Sequence, residues 1–135
     1  DLGLAEERSE KNPVFYVQYA FVRLSSILRK AEEVNLQPTK SNLTLLTHPK
    51  ERLLMRELLA FPELIERMAS EKTVHQLPQY AIRLADRFHS FYADCQVIDE
   101  KNPELSQARL SLVQTTQGVL GETLRLVGVS APEKM

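Results

Sequence analysis

Cysteine occurs once in this sequence, glycine four times, and no apolar run approaches the ~20 residues that a membrane-crossing helix needs. Each scarcity removes a class of explanation. A lone Cys95 cannot form an internal disulfide; it fits a buried thiol in a reducing compartment. The four glycines stand at no spacing that would let backbone amides cradle a phosphate, so a nucleotide-binding loop is not expected. His48, His75 and His89 are scattered, which leaves no zinc-ligand spacing, and no residue marks a nucleophile turn. Asp86 and His89, three apart on a predicted helix, are read as a solvated surface pair. Catalytic residues, a metal and a resident cofactor are therefore not expected in this chain.

Excess charge is missing as well. The net charge is −1, and acids and bases number six and six over residues 1–46, nine and eight over 47–102, and three and three over 103–135. Non-specific nucleic-acid binding normally leaves a basic footprint, so any RNA site here must be a small patch that relies on shape and stacking. Neither DNA nor a membrane is expected as a partner. The charged opening from Asp1 to Arg8 is unlike a signal peptide, which makes a cytoplasmic location the default expectation. A first residue other than methionine points to a fragment or a processed product.

What remains is a composition suited to one folded domain over residues 1–135: 43% hydrophobic and 26% charged. Asn12-Pro13, His48-Pro49 and Asn102-Pro103 look like helix starts, because a capping side chain precedes a proline whose missing N–H costs nothing in the first turn. After the first, Val17, Ala20, Phe21, Leu24, Ile27, Leu28 and Ala31 share one stripe and predict a helix over 13–33. A loop carrying the apolar patch 43–46 follows. A second helix should run from Pro49, with Leu53, Leu54, Leu58 and Leu59 inward, to about Phe61-Pro62, and a short third from Pro62 to Ser70. A fourth is predicted over 74–97, with Leu84, Phe88, Phe91 and Cys95 on one stripe and Pro78 near its start as a kink or a delay. The fifth should run from Pro103 to Val127, with Leu105, Ala108, Leu112, Val119, Leu120 and Val127 inward and Gly128 as its stop. Gly118 and Gly121 inside it suggest another backbone close by. Strand-like alternation and internal repeats are absent, so the fold class is all-α, a bundle of about five helices.

One constellation stands apart from the core pattern. Tyr16, Tyr19, Arg23, Ser26 and Lys30 follow 3, 4, 3, 4 spacing and form a stripe beside the apolar one. Two phenols alternating with two cations is how unpaired RNA bases are gripped, by rings on base faces and cations on phosphates or base edges. On spacing alone, half-buried packing tyrosines are the commoner case, and a helical scaffold or protein-interaction domain stays open.

The string from Lys11 to Ala20 (KNPVFYVQYA), continued by Arg23, Ser26 to Lys30 and Ala31, closely resembles the start of the DALR-type anticodon-binding domain of arginyl-tRNA synthetases. The segment Arg109 to Thr116, then Val119-Leu120 and Leu126 to Met135, is similar to that family's last helix and tail, and Leu84, Phe88, Phe91, Tyr92 and Cys95 to its helix bearing a Phe-Tyr pair. The resemblance implies a C-terminal RNA-binding module of a class I enzyme that attaches arginine to its tRNA using ATP and Mg2+. The partners it implies are the anticodon loop of arginine tRNA, with a preference for the central cytosine, and the catalytic domain of the same parent chain. That catalytic part is absent, so the chain alone is expected to be inactive. By resemblance Tyr16, Tyr19, Arg23, Lys30, Tyr92 and Met135 face the anticodon. Phe21 departs from a position where the family often has His, and is expected to repack in the core without touching RNA.

Overall fold

The computed structural model describes residues 13–73 and 75–128. Five helical segments are present there, α1 (Pro13–Glu33), α2 (Pro49–Leu59), α3 (Phe61–Glu71), α4 (Leu77–Asp94) and α5 (Pro103–Leu126), with one 3-10 turn at Leu43–Leu45 and no strand among the described residues. Only Ala60 separates α2 from α3, and its helical backbone makes the two nearly one bent rod; counted so, there are four helices.

Proline and cap chemistry set most of these limits. At α2 the His48 imidazole Nδ1 accepts the Lys50 amide at 3.1 Å while Glu51 Oε1 accepts the His48 amide at 2.8 Å, a reciprocal cap that occupies two otherwise orphaned donors. Pro103 does open α5, but the Asn102 side chain makes no cap bond; its amide donates to Asp99 instead. Asn12 lies outside the described residues. Pro78 delays α4 rather than kinking it, so that helix starts at Leu77, three residues later than the pattern predicts, and it ends at Asp94 because Cys95 is extended (φ −121°, ψ 117°). Past α5, Gly128 takes φ 78°, a left-handed stop that suits glycine.

The core forms around α4, which packs on α1, α2 and α5, while α3 leans chiefly on α2. Leu77, Leu84, Ala85, Phe88 and Phe91 of α4 are fully enclosed, together with Ala20 and Leu24 of α1 and Leu110, Val113 and Leu120 of α5. Burial of each large apolar side chain of this kind contributes roughly 1.5–3 kcal/mol. Three assignments from spacing are corrected. Leu59, expected inward, is 78% exposed because α2 ends there and α3 turns away. Gly118 has open space beside it, and what approaches Gly121 is not backbone: a Cβ there would lie 3.1 Å from the Phe21 ring. Phe21 is thus a half-buried wedge between α1 and α5, which gives Gly121 its reason.

Candidate nucleic-acid interface

The stripe predicted on α1 falls where α4 closes against it, and the seam divides that stripe in two. Tyr16 goes inward. It is 5% exposed, its hydroxyl donates to Asp86 Oδ1 at 2.6 Å, and its ring tilts against His89 at 5.4 Å. The expectation of a surface-facing Tyr16 is corrected: α1 has two buried neighbours here, and a one-stripe wheel allows for only one.

Tyr19, Arg23, Ser26 and Lys30 stay at the surface, and Tyr92 of α4 joins them. Together with Val22 and Ile27 they line a cleft of about 280 Å³. Its centre is a clamped guanidinium: Arg23 Nη2 donates to the Tyr19 hydroxyl at 2.7 Å, and Arg23 Cζ lies 5.4 Å from the Tyr19 ring centre and 5.1 Å from that of Tyr92. Cation–π contacts of this kind contribute about 0.5–2 kcal/mol each, more as water is excluded. Lys30 is exposed at the far end, and among the described residues its ammonium has no hydrogen-bond or ion-pair partner. Met135 lies outside the described residues.

Beneath the cleft lies a residue that spacing places at the surface. His89 stacks under Tyr19 (5.7 Å, 28°) and tilts against Phe88 (5.2 Å), while Phe88 stacks with Tyr92 (5.8 Å, 23°). His89 is 7% exposed and not part of a solvated pair with Asp86, whose carboxylate is taken by Tyr16. Burial, reinforced by the Arg23 charge, pushes the imidazole down to about 4, so it is neutral at pH 7, and its Nε2 has no hydrogen-bond partner among the described residues. The signal available was its position: Ala85, His89 and Tyr92 recur at 4 and 3 residues and so line one face of α4. No group of three metal-ligating side chains occurs among the described residues, and no helix there is long and apolar enough to cross a membrane.

Chemically, the cleft offers flat aromatic faces, one pre-positioned guanidinium and one free ammonium. Such a set suits an unpaired base and its phosphate, since rings stack on base faces while cations meet phosphate oxygens.

Comparison with known proteins gives a consistent picture. Residues 17–135 match the family model described as the DALR anticodon binding domain. The whole chain is 49% identical to part of the arginine--tRNA ligase of Symbiobacterium thermophilum and 45% identical to part of that of Salinibacter ruber, spanning 25% and 24% of those proteins. Among solved structures, the arginyl-tRNA synthetase of Thermus thermophilus superposes with a TM-score of 0.71 at 36% identity, over 89% of this chain and 21% of that one. The chain thus spans about a quarter of the length of the curated relatives it matches.

Proposed function

Since the chain belongs to the DALR anticodon-binding domain family, we propose that it recognises the anticodon loop of arginine tRNA, as the RNA-reading part of an arginine–tRNA ligase whose ATP- and Mg2+-dependent chemistry resides in a catalytic domain elsewhere in the parent chain. The observation that carries this reading is the Tyr19–Arg23–Tyr92 clamp with Lys30 beside it, set in a cleft on the α1–α4 seam. An unpaired base stacks on an aromatic face of the cleft, and its phosphate is met by Arg23 and Lys30. Tyr16 serves this arrangement from beneath by fixing the seam. Met135 is assigned to the same surface by resemblance alone.

Two stem-loops test the reading: the anticodon arm of arginine tRNA, and the same arm with its central cytosine replaced. Tighter binding of the first, and a loss of about 1–3 kcal/mol on Tyr19→Ala, are expected; equal binding of both arms, or no effect of Tyr19→Ala, refutes it. The chain alone is expected to support no arginine-dependent ATP–pyrophosphate exchange, since its four glycines stand at no spacing that would cradle the phosphates of ATP.

A further inference from the structure

The bent rod of α2 and α3 has two unlike faces. Inward lie Glu51, Leu54 and Leu58 of α2, then Leu64 and Met68 of α3, all buried. Outward lie Arg52, Arg56, Leu59, Glu63 and Glu66, all exposed and spaced 4, 3, 4 and 3 residues apart, so they form one stripe across the bend. Ala60 keeps the two segments in phase, because its backbone is itself helical (φ −76°, ψ −15°).

The charges on this stripe are ordered. Two guanidinium groups precede Leu59 and two carboxylates follow it, and none of the four makes a side-chain hydrogen bond or ion pair with any described residue. Glu57, on the flank toward α4, is by contrast met by Arg83 at 3.2 Å. Beside Leu59 opens a hollow of about 200 Å³; six of the nine side chains lining it are Leu or Met, and Lys40, Ser111 and Thr115 are the other three. One exposed leucine is ordinary on a protein surface, and so are unpaired surface charges. Their order is what selects a partner. RNA is attracted by Arg52 and Arg56 but repelled by Glu63 and Glu66 beside them. An unrelated protein would have to present the same run of charges in reverse. A second copy of this chain, turned about a two-fold axis through Leu59, presents that reverse order by symmetry.

We propose that this face is a self-complementary docking surface on which two copies of the chain lay their α2–α3 rods antiparallel. Arg56 of each copy faces Glu63 of the other, and Arg52 faces Glu66, while the two Leu59 side chains meet at the axis and cover the mouths of the two hollows. The stripe and its hollow share no residue with the cleft of Tyr19, Arg23 and Tyr92, so pairing uses none of the side chains assigned to RNA. The contact is small and its ion pairs lie at the surface, which makes the dimer weak and dependent on concentration and salt.

Sedimentation velocity of the chain at low salt, from about 10 μM to about 1 mM, reads the association. Wild type should shift from monomer toward dimer across that range, and about 1 M salt, which shortens the screening length to about 3 Å, should weaken the shift. Arg56→Glu sets like charges opposite each other at both symmetry-related positions, and Glu63→Arg does the same with the other sign. Each alone should raise the dissociation constant about tenfold or more. An equimolar mixture of the two variants should recover association close to that of wild type, because each supplies the charge that the other lacks. Recovery in trans is a result that no change confined to one chain can produce. Leu59→Ser, at a position 78% exposed, should weaken association and leave urea unfolding in dilute solution unchanged. The proposal is overturned if wild type stays monomeric throughout, or if both charge reversals associate like wild type, which would put the contact on another face. It is equally overturned if the mixture associates no better than either variant alone; the stripe would then belong to RNA or to another part of the parent chain.

Discussion

His89 ties the stability of this domain to pH in a direction and window that the structure defines. Its imidazole is 7% exposed and pushed from 6.5 down to about 4, first by burial and then by the Arg23 charge. The folded state therefore resists protonation at His89 while the unfolded chain accepts a proton near pH 6.5. The contribution is fully present above that value and is lost progressively as pH falls toward about 4. A separation of that size corresponds to about 3 kcal/mol by the acid end of the window. Replacing the ring isolates it: His89→Phe keeps an aromatic body under Tyr19 and removes both the titration and the unpartnered Nε2, so at pH 7 the variant should equal or exceed wild type in stability. Urea unfolding followed by circular dichroism, run for both proteins between about pH 7.5 and about pH 4.5, gives the difference directly; the carboxylates and the other histidines are common to both and cancel. Wild type should lose about 2–3 kcal/mol relative to His89→Phe over that range. Parallel pH profiles, or a proton resonance of His89 titrating near 6.5, would refute the burial argument.

Tyr16→Ala should cost about 3–5 kcal/mol in denaturant unfolding, as for other buried aromatics, whereas Tyr16→Phe should cost about 1–3 kcal/mol for the bond to Asp86; a Tyr16→Ala protein as stable as wild type would return that ring to the surface. Leu112, 5% exposed on α5, should lose about 2–5 kcal/mol on truncation to Ala, and a change below about 0.5 kcal/mol would mean α5 is rotated. Glu51 is 1% exposed and accepts from Arg109 Nε at 2.6 Å as well as from the His48 amide at 2.8 Å, so Glu51→Ala should destabilise by about 3–5 kcal/mol; an unchanged melt would show that neither the cap nor the ion pair matters.

How much of this was legible in the sequence depends on how many neighbours each helix has. The limits of α1 and α5 were readable to within a residue, because Pro13, Pro103 and Gly128 act locally. The aromatic stripe of α4 was equally plain. The inward face of α5 was only half legible: Ala108, Leu112 and Leu120 are buried as predicted, yet Leu105, Val119 and Val127 are partly exposed, and Leu110, Val113, Thr116, Thr123 and Leu124 are buried besides. Packing on both α1 and α4 gives α5 two buried stripes rather than one. Two of those residues are threonines, which a hydrophobic pattern passes over; their hydroxyls donate back to the Leu112 and Val119 carbonyls at 2.7 Å each and so bury without an unpaired polar group. The candidate site shows the same pattern. Tyr19, Arg23, Lys30 and Tyr92 were nameable from spacing and resemblance and do converge. Tyr16 and His89 were both misplaced at the surface for one shared reason, the coverage of α1 by α4, which no single-helix wheel contains.

That coverage also accounts for how a chain with a net charge of −1 would carry the proposed RNA surface. Electrostatic binding needs many cations to compensate the cost of ordering them, but a surface built in advance needs few. Arg23 is already held between two rings and bonded to the Tyr19 hydroxyl, and Tyr19 rests on the buried plate of His89. Little side-chain freedom is left for a ligand to remove. One of the five guanidinium donors is used at Tyr19, so others remain for phosphate, and the planar cation can lie along an aromatic face while donating at its edge. Lysine, a compact point charge on a flexible stem, cannot do both. The core therefore acts on function at this seam: Tyr16 and His89 need never meet a ligand, yet the flatness of the Tyr19 plate and the fixed position of Arg23 depend on their burial.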